Sequence, residues 1–331
     1  MSLFNRLKNF IAVRFPAAYE IFYRLRHNVK IKNLGAAISV HSDDFTDYVR
    51  LKKSDDFALK IPLDFDYPPA SFKIAAVVHI FYPELAAELK NLLLNIPCAV
   101  DVYISTTSPD KKSAIEKVFG DFDRGNVTIK IFPNRGRDIA AAFVGFKEIY
   151  KNYDVCIHIH SKKSPHDEQR LAGWRDHLYQ NLLGSPEIVS SILQILADEK
   201  IGAVFPQYYA PIRVLINWGE NYLATKNYLR GLGIEIDNLH LIEFPAGSMF
   251  WFKPKALAPL LDSDLTFEDF PEERGQVDGT FAHAIERAFL FIVESAGFTW
   301  IKIDGDGLKS SSQAELDANI LKARHSVLKK Y

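Results

Sequence analysis

Cysteine is scarce in this chain of 331 residues: only Cys98 and Cys156 occur, both inside apolar runs. Two such thiols build neither a disulfide framework nor a thiolate metal site, which suits the reducing cytoplasm. Net charge is scarce as well. The 40 basic and 41 acidic side chains leave a formal charge of −1, so a general attraction for nucleic acid is excluded and any anion site must be local. No run of about 18 apolar residues is present, and no segment is expected to span a membrane. A cleaved leader is not expected either, because Arg14, Pro16 and the charges that follow interrupt any apolar core. What remains is ample apolar material: at 48% hydrophobic and 24% charged, the composition is that of an ordered domain with a substantial core.

Basic charge is concentrated at the start, where Arg6, Lys8, Arg14, Arg24, Arg26, Lys30 and Lys32 face Glu20 alone. Leu3, Phe4, Leu7, Phe10 and Ile11 fall at helical spacing between them. Such a stripe suits either a peripheral helix on an anionic membrane surface, here the inner face of the cytoplasmic membrane, or a helix packed on the main domain. Residues 34–71, with Pro62, Pro68 and Pro69, read as an irregular connection. The organisation expected is a basic amphipathic segment and linker over 1–71, a main domain over 72–303, and a C-terminal helix over 304–331. In that last part Ser312 and Glu315 have capping-box spacing, and Lys329 and Lys330 stand near the end. Asp304-Gly305-Asp306-Gly307 is too short for a calcium loop of the EF-hand kind and reads as a turn.

From Phe72 strands and helices alternate. Ile74–Phe81, Val100–Ser105, Val127–Phe132, Val155–His160 and Ile201–Phe205 read as strands. Pro83–Leu94, Lys111–Phe119 and Ile139–Tyr150 read as the helices between the first four, and Asp167–Lys200 as helix broken at Gly184-Ser185-Pro186. This order predicts an α/β fold: a three-layer sandwich around a mostly parallel sheet, joined by right-handed crossovers. In open sheets of this kind ligands bind outside the carboxyl ends of the strands. Those ends carry His79 to Tyr82, Ser105 to Ser108, Asn134 to Asp138, and His158 to Ser164.

Each end has a chemical and a plain reading. Ser105 and Thr106 suit hydrogen bonds to a base or ribose, or a turn before Pro109. Asn134-Arg135-Gly136-Arg137-Asp138 offers two guanidinium groups and a helix start to phosphate oxygens, or a solvated loop with Asp138 as N-cap. His158 and His160 share one face of a strand and suit hydrogen bonding, packing or, with less support, a metal; Ser161, Lys162 and Lys163 beyond them suit a diphosphate. Asn217-Trp218-Gly219 lies in an aromatic-bearing insertion suited to sugar stacking or to core. Gly247 and Ser248 lie in a small-residue turn before the apolar strand at Phe250 and Trp251. Asp278 is the N-cap of the next helix, a catalytic carboxylate, or both, and His283, Glu286 and Arg287 line one face of that helix.

Asn134-Arg-Gly-Arg-Asp138, His160-Ser-Lys-Lys-Ser164, Phe244-Pro-Ala-Gly-Ser-Met-Phe-Trp251 and Asp278-Gly-Thr-Phe-Ala-His-Ala-Ile-Glu-Arg287, in that order, resemble the rhamnan synthesis protein F family of bacterial polysaccharide glycosyltransferases. The resemblance covers about Phe72 to Ile303. It implies a GT-A-like domain that takes a nucleotide-diphosphate sugar, dTDP-rhamnose in the first instance. The acceptor it implies is a growing, lipid-linked cell-surface polysaccharide such as O-antigen. Under that resemblance the donor meets His79, Tyr82, Ser105, Thr106, Asn134, Arg135, Gly136, Arg137, Asp138, His158, His160, Ser161, Lys162 and Lys163. The acceptor meets Gly247, Ser248, Trp251, Glu286 and Arg287. Asp278 is the general base of an inverting transfer, with His283 as the alternative base. Many such enzymes bind Mg or Mn through an Asp-x-Asp pair, and no such pair stands at His160 to Ser164. A metal-independent mechanism, with Lys162, Lys163, Arg135 and Arg137 stabilising the diphosphate, is therefore preferred, and Asp138 is the single candidate metal ligand. The alternative from a different class is a non-catalytic sugar- or nucleotide-binding module of a polysaccharide-assembly complex.

Overall fold

The computed structural model describes residues 58–67, 69, 71–161, 171, 173–237, 242–274, 278–305 and 310–322. The basic amphipathic segment, Lys162, Lys163, Asp306, Gly307, Lys329 and Lys330 lie outside the described residues. Among those described, no helix is long and apolar enough to cross a membrane.

Eight strands form one sheet. They are β1 (Ala58–Lys60), β2 (Ile74–His79), β3 (Val100–Thr106), β4 (Val127–Ile131), β5 (Val155–His160), β6 (Ile201–Pro206), β7 (Phe250–Phe252) and β8 (Thr299–Asp304), in the order β1-β8-β6-β7-β5-β2-β3-β4. Every pairing is parallel except those of β7, which runs antiparallel between β5 and β6. β2 and β5 are buried at every position, as continuous Val- and Ile-rich runs require of strands covered on both faces.

Helices supply the two outer layers. α1 (Ala86–Leu93), α2 (Pro109–Phe119), α4 (Trp174–Leu183) and α5 (Pro186–Ala197) bury their apolar stripes with Ile74, Ala76, Val78, Ile157 and Ile159 of the sheet. The start of α3 (Arg137–Ala140), α6 (Tyr222–Gly231), α7 (Ala258–Leu261) and α8 (Phe281–Ser295) share the other face with Ala75, Val77, Cys156, Phe250 and Phe252. Local chemistry fixes the helix starts. Ser108 and Ser185 accept from Lys111 N–H and Ile188 N–H, each followed by a proline in the first turn, where no amide is needed. α9 (Gln313–Lys322) begins at the expected capping box, Ser312 N–H donating to Glu315 Oε2 at 2.9 Å, and seats Leu316 in the core.

Two expectations change. The stretch read as irregular holds β1, because Leu59 is buried and Lys60 pairs with Asp304 Oδ2 at 2.5 Å beside the β1–β8 ladder. The helix expected over Ile139–Tyr150 is broken: α3 passes into a π turn at Ala141–Gly145 and a 3-10 turn at Lys147–Asn152. Phe132 packs on Gly145, where a Cβ would stand 2.5 Å from its ring, and Tyr150 Oη, from the 3-10 turn, donates back to Ala142 O of the π turn.

Candidate functional site

Chain order puts the crevice between β2 and β5. From β2 the chain moves outward through β3 and β4, then returns to lay β5 on the other side of β2, which is a topological switch point. His79 and His160 end those two strands in register with each other. The period of two sends His79, His158 and His160 toward the layer that contains α8.

There the three imidazoles meet a buried carboxylate. Asp138, in the first turn of α3, accepts from Ser248 Oγ at 2.5 Å, with His158 Nε2 and His160 Nε2 at 3.8 and 3.9 Å from the same oxygen. Gly136, at φ 62, is the residue that caps α3, so the N-cap reading of Asp138 is corrected: Asp138 sits inside the helix and turns to the histidines. The small-residue turn is gripped from beneath. His158 Nδ1 donates to Ser248 O at 2.6 Å, His160 Nε2 to Gly247 O at 2.9 Å, and Gly247 N–H donates to Glu286 Oε1 at 2.7 Å. Gly247 and Ser248 both have positive φ, 88 and 54, and this turns their carbonyls toward the rings. His158 Nε2 is buried without a hydrogen-bond partner.

Burial pushes His79 and His158 down to about 4 in spite of the Asp138 charge, so both are neutral near pH 7. Burial alone would raise Asp138, but His160, His158, the Ser248 hydroxyl and His79 outweigh it and hold the carboxyl well below the usual carboxylate range.

A second cluster adjoins the first through Arg137. Its Nη1 reaches His283 Nε2 at 3.3 Å while its Nε donates to Glu273 Oε2 at 3.1 Å. Thr280, not Asp278, is the N-cap of α8, and His283 Nδ1 lies 2.8 Å from Thr280 Oγ1 in the cap. Asp278 is freed from capping and is 40% exposed, its Oδ1 taking a hydrogen bond from Asn221 Nδ2 at 2.8 Å and facing Arg287 Nη2 at 3.7 Å. Burial would raise its pKa, but Arg287, Asn221, the Gly279 amide and His283 reverse the direction and lower it. Burial, then Arg137, depress His283 to about 4.

The remaining predicted residues scatter. Ser105 Oγ is 2.9 Å from His79 Nδ1 and Thr106 Oγ1 donates to Ile80 O, both buried beneath the crevice floor. Ser161 Oγ accepts from the amides of Phe81 and half-buried Tyr82, bracing that loop. Asn134 is exposed. Arg135 donates to Phe270 O at 2.9 Å and meets Glu272 at 3.3 Å. Gly136 lies against Phe270, where a Cβ would stand 2.4 Å from the ring. Trp251 departs from its assigned place: it is fully buried on the opposite face of the sheet and donates to Leu182 O. Arg287 is buried, with Nε donating to Asn217 O and its guanidinium 4.9 Å over Phe244.

The model of a known family, described as rhamnan synthesis protein F, matches residues 61–298. The chain belongs to that family. It is also 30% identical over 224 residues to an uncharacterized protein WxcX of Xanthomonas campestris pv. campestris strain B100, and to the same degree to its counterpart in a second strain. The match takes in 67% of this chain and spans only 31% of the length of those relatives. Family membership ties the chain to polysaccharide synthesis.

No three His, Cys, Asp or Glu among the described residues are arranged to hold a metal, and Asp138 Oδ2 and His160 Nε2 are committed to Ser248 and Gly247. Sequence reading missed three residues at the site. Glu272 and Glu273 pair with the two arginines of the Asn134–Asp138 loop, and Asn221 holds Asp278. None lies in a periodic pattern or beside a strand end, so only the fold brings them in.

Proposed function

We propose that the chain is a GT-A-like glycosyltransferase that moves a deoxyhexose, rhamnose in the first instance, from a nucleotide-diphosphate donor to a growing, lipid-linked polysaccharide. The observation that carries this reading is the placement of Asp278. It is a half-exposed carboxylate beside His283 and Arg287, joined through Arg137 to the histidine cluster at the switch point. The reading places the donor along the ends of β2 and β5, with its diphosphate toward Arg137. An acceptor hydroxyl attacks the anomeric carbon on the opposite side from the diphosphate, Asp278 takes the hydroxyl proton, and the nucleoside diphosphate leaves with the bonding pair. Arg135 and Arg137 already hold Glu272 and Glu273, so diphosphate binding requires exchange of carboxylate for phosphate on those guanidinium groups. Asp278 is ionised at neutral pH, and the lowering of its pKa by Arg287, Asn221 and His283 weakens it as a proton acceptor, so its part in the transfer rests on its placement. The N-terminal basic stripe is assigned to contact with an anionic membrane that carries the acceptor.

Labelled dTDP-rhamnose incubated with membranes that contain the acceptor tests the transfer, with the sugar-binding module as the rival outcome: donor bound, no label moved. Asp278→Asn is expected to lower kcat about 10²- to 10⁴-fold with the fold intact. Near-normal turnover would remove the base assignment.

A further inference from the structure

The geometry points to Asn221, with Gly219 beside it, as the device that positions the Asp278 carboxylate: it grips one oxygen and leaves the other to face the acceptor. The inference rests on Asp278 being the base proposed above. Its source is a loop whose aromatic residue suggested sugar stacking. Trp218 does not serve that purpose, since it is 2% exposed and stacks on Phe291 at 5.9 Å between ring centroids. The same loop instead directs its polar groups at α8.

Asn221 is 1% exposed, and its Nδ2 donates both to Asp278 Oδ1 at 2.8 Å and to Trp218 O at 3.2 Å. Its Oδ1 is buried with no hydrogen-bond partner. A reversed amide would aim that oxygen at a carboxylate, so the orientation is fixed by the donor and the orphaned acceptor is its cost. Asn217, four residues earlier, accepts from Arg287 Nε through its carbonyl at 3.0 Å, which holds the guanidinium 3.7 Å from Asp278 Oδ1. His283 Nδ1 lies 4.0 Å from that same oxygen. Amide, guanidinium and imidazole therefore converge on Oδ1. Oδ2 lies beside Gly219, where a methyl would crowd it at 2.6 Å, so the missing side chain leaves that oxygen uncovered, and the φ of +52 there suits glycine. Glu220 lies against the neighbouring Gly279, so among the described residues the charged and titratable groups around Asp278 are Arg287, His283 and Glu220, with Arg137 behind His283.

Asn221 is a positioning residue, and its test needs readouts that a structural role would not move. With 13C-labelled aspartate, N221A is expected to raise the titration midpoint of Asp278 above that of the native protein, since a hydrogen bond to the charged form is lost. In the same variant kcat should fall at least about tenfold while the donor KM holds. N221D, which places an acceptor against Oδ1, is expected to lower the melting temperature; the exchange N221D/D278N rebuilds the pair with roles reversed and should recover part of that loss, Trp218 O being left without its donor, while transfer stays lost. An unmoved Asp278 titration in N221A, or an exchange variant no more stable than N221D, would overturn the proposal. The exchange covers the case in which N221A does not fold. Near-normal turnover of D278N would defeat the base assignment and leave the titration and the exchange as they were, so the two failures are told apart.

Discussion

Ser248 shows how much chemistry rests on one backbone angle. A serine at φ 54 is strained, and it persists because its hydroxyl satisfies Asp138 and its carbonyl satisfies His158. Ser248→Ala keeps the strain and deprives a buried carboxylate of a donor, so it should cost about 1–3 kcal/mol by denaturant unfolding. Ser248→Gly, which relieves the left-handed angle, should cost less. The sequence marked Asp138, His158, His160 and Ser248 separately, by composition and by place at strand ends. That they form one cluster was not legible, because Ser248 reaches Asp138 across 110 positions of chain. Asp278 was singled out as N-cap, catalytic carboxylate or both, and the capping reading fails: Thr280 takes the cap, and the carboxylate is released for other work.

Elements were read best where periodicity was strong. β2, β5 and α2 lie nearly where the apolar patterns placed them, α2 starting two residues before the Lys111 expected because Ser108 and Pro109 open it. α3 was read as one helix because Ala140, Ala141 and Ala142 favour it. The packing of Phe132 on Gly145 is a tertiary cause that no local pattern carries. β1 was missed for the reverse reason: three residues with prolines nearby have too short a pattern, and β8 supplies the pairing. α8 is the element that joins site to core, since Phe289 meets Phe250 at 4.9 Å and Phe143 at 5.1 Å between centroids. Phe289→Ala should lower unfolding free energy by about 3–5 kcal/mol. Shifts in the resonances of His283 and Arg287 would show the loss reaching the site.

At the scale of the whole molecule, the buried histidines make stability depend on pH. His79, His158 and His283 have folded values of about 4 against 6.5 as the reference, so the unfolded chain binds more protons between those limits. Stability should be full above about pH 6.5 and fall as the pH drops toward 4, read as a declining urea midpoint. His283→Gln, which removes one of the three groups, should flatten that slope; an unchanged slope would show that His283 is not depressed. β7 gives the arrangement its unity. It runs against its neighbours directly after the Gly247-Ser248 turn, and Phe250 pairs with His158 itself. The turn thus ends two residues before the rung that carries the ring binding it. A slip of β7 by one residue would reverse Phe250, Trp251 and Phe252 between the two cores and carry the Ser248 hydroxyl away from Asp138 in the same step. Correct pairing of three residues is therefore a checkpoint: a chain that has not folded its centre has no site to misuse.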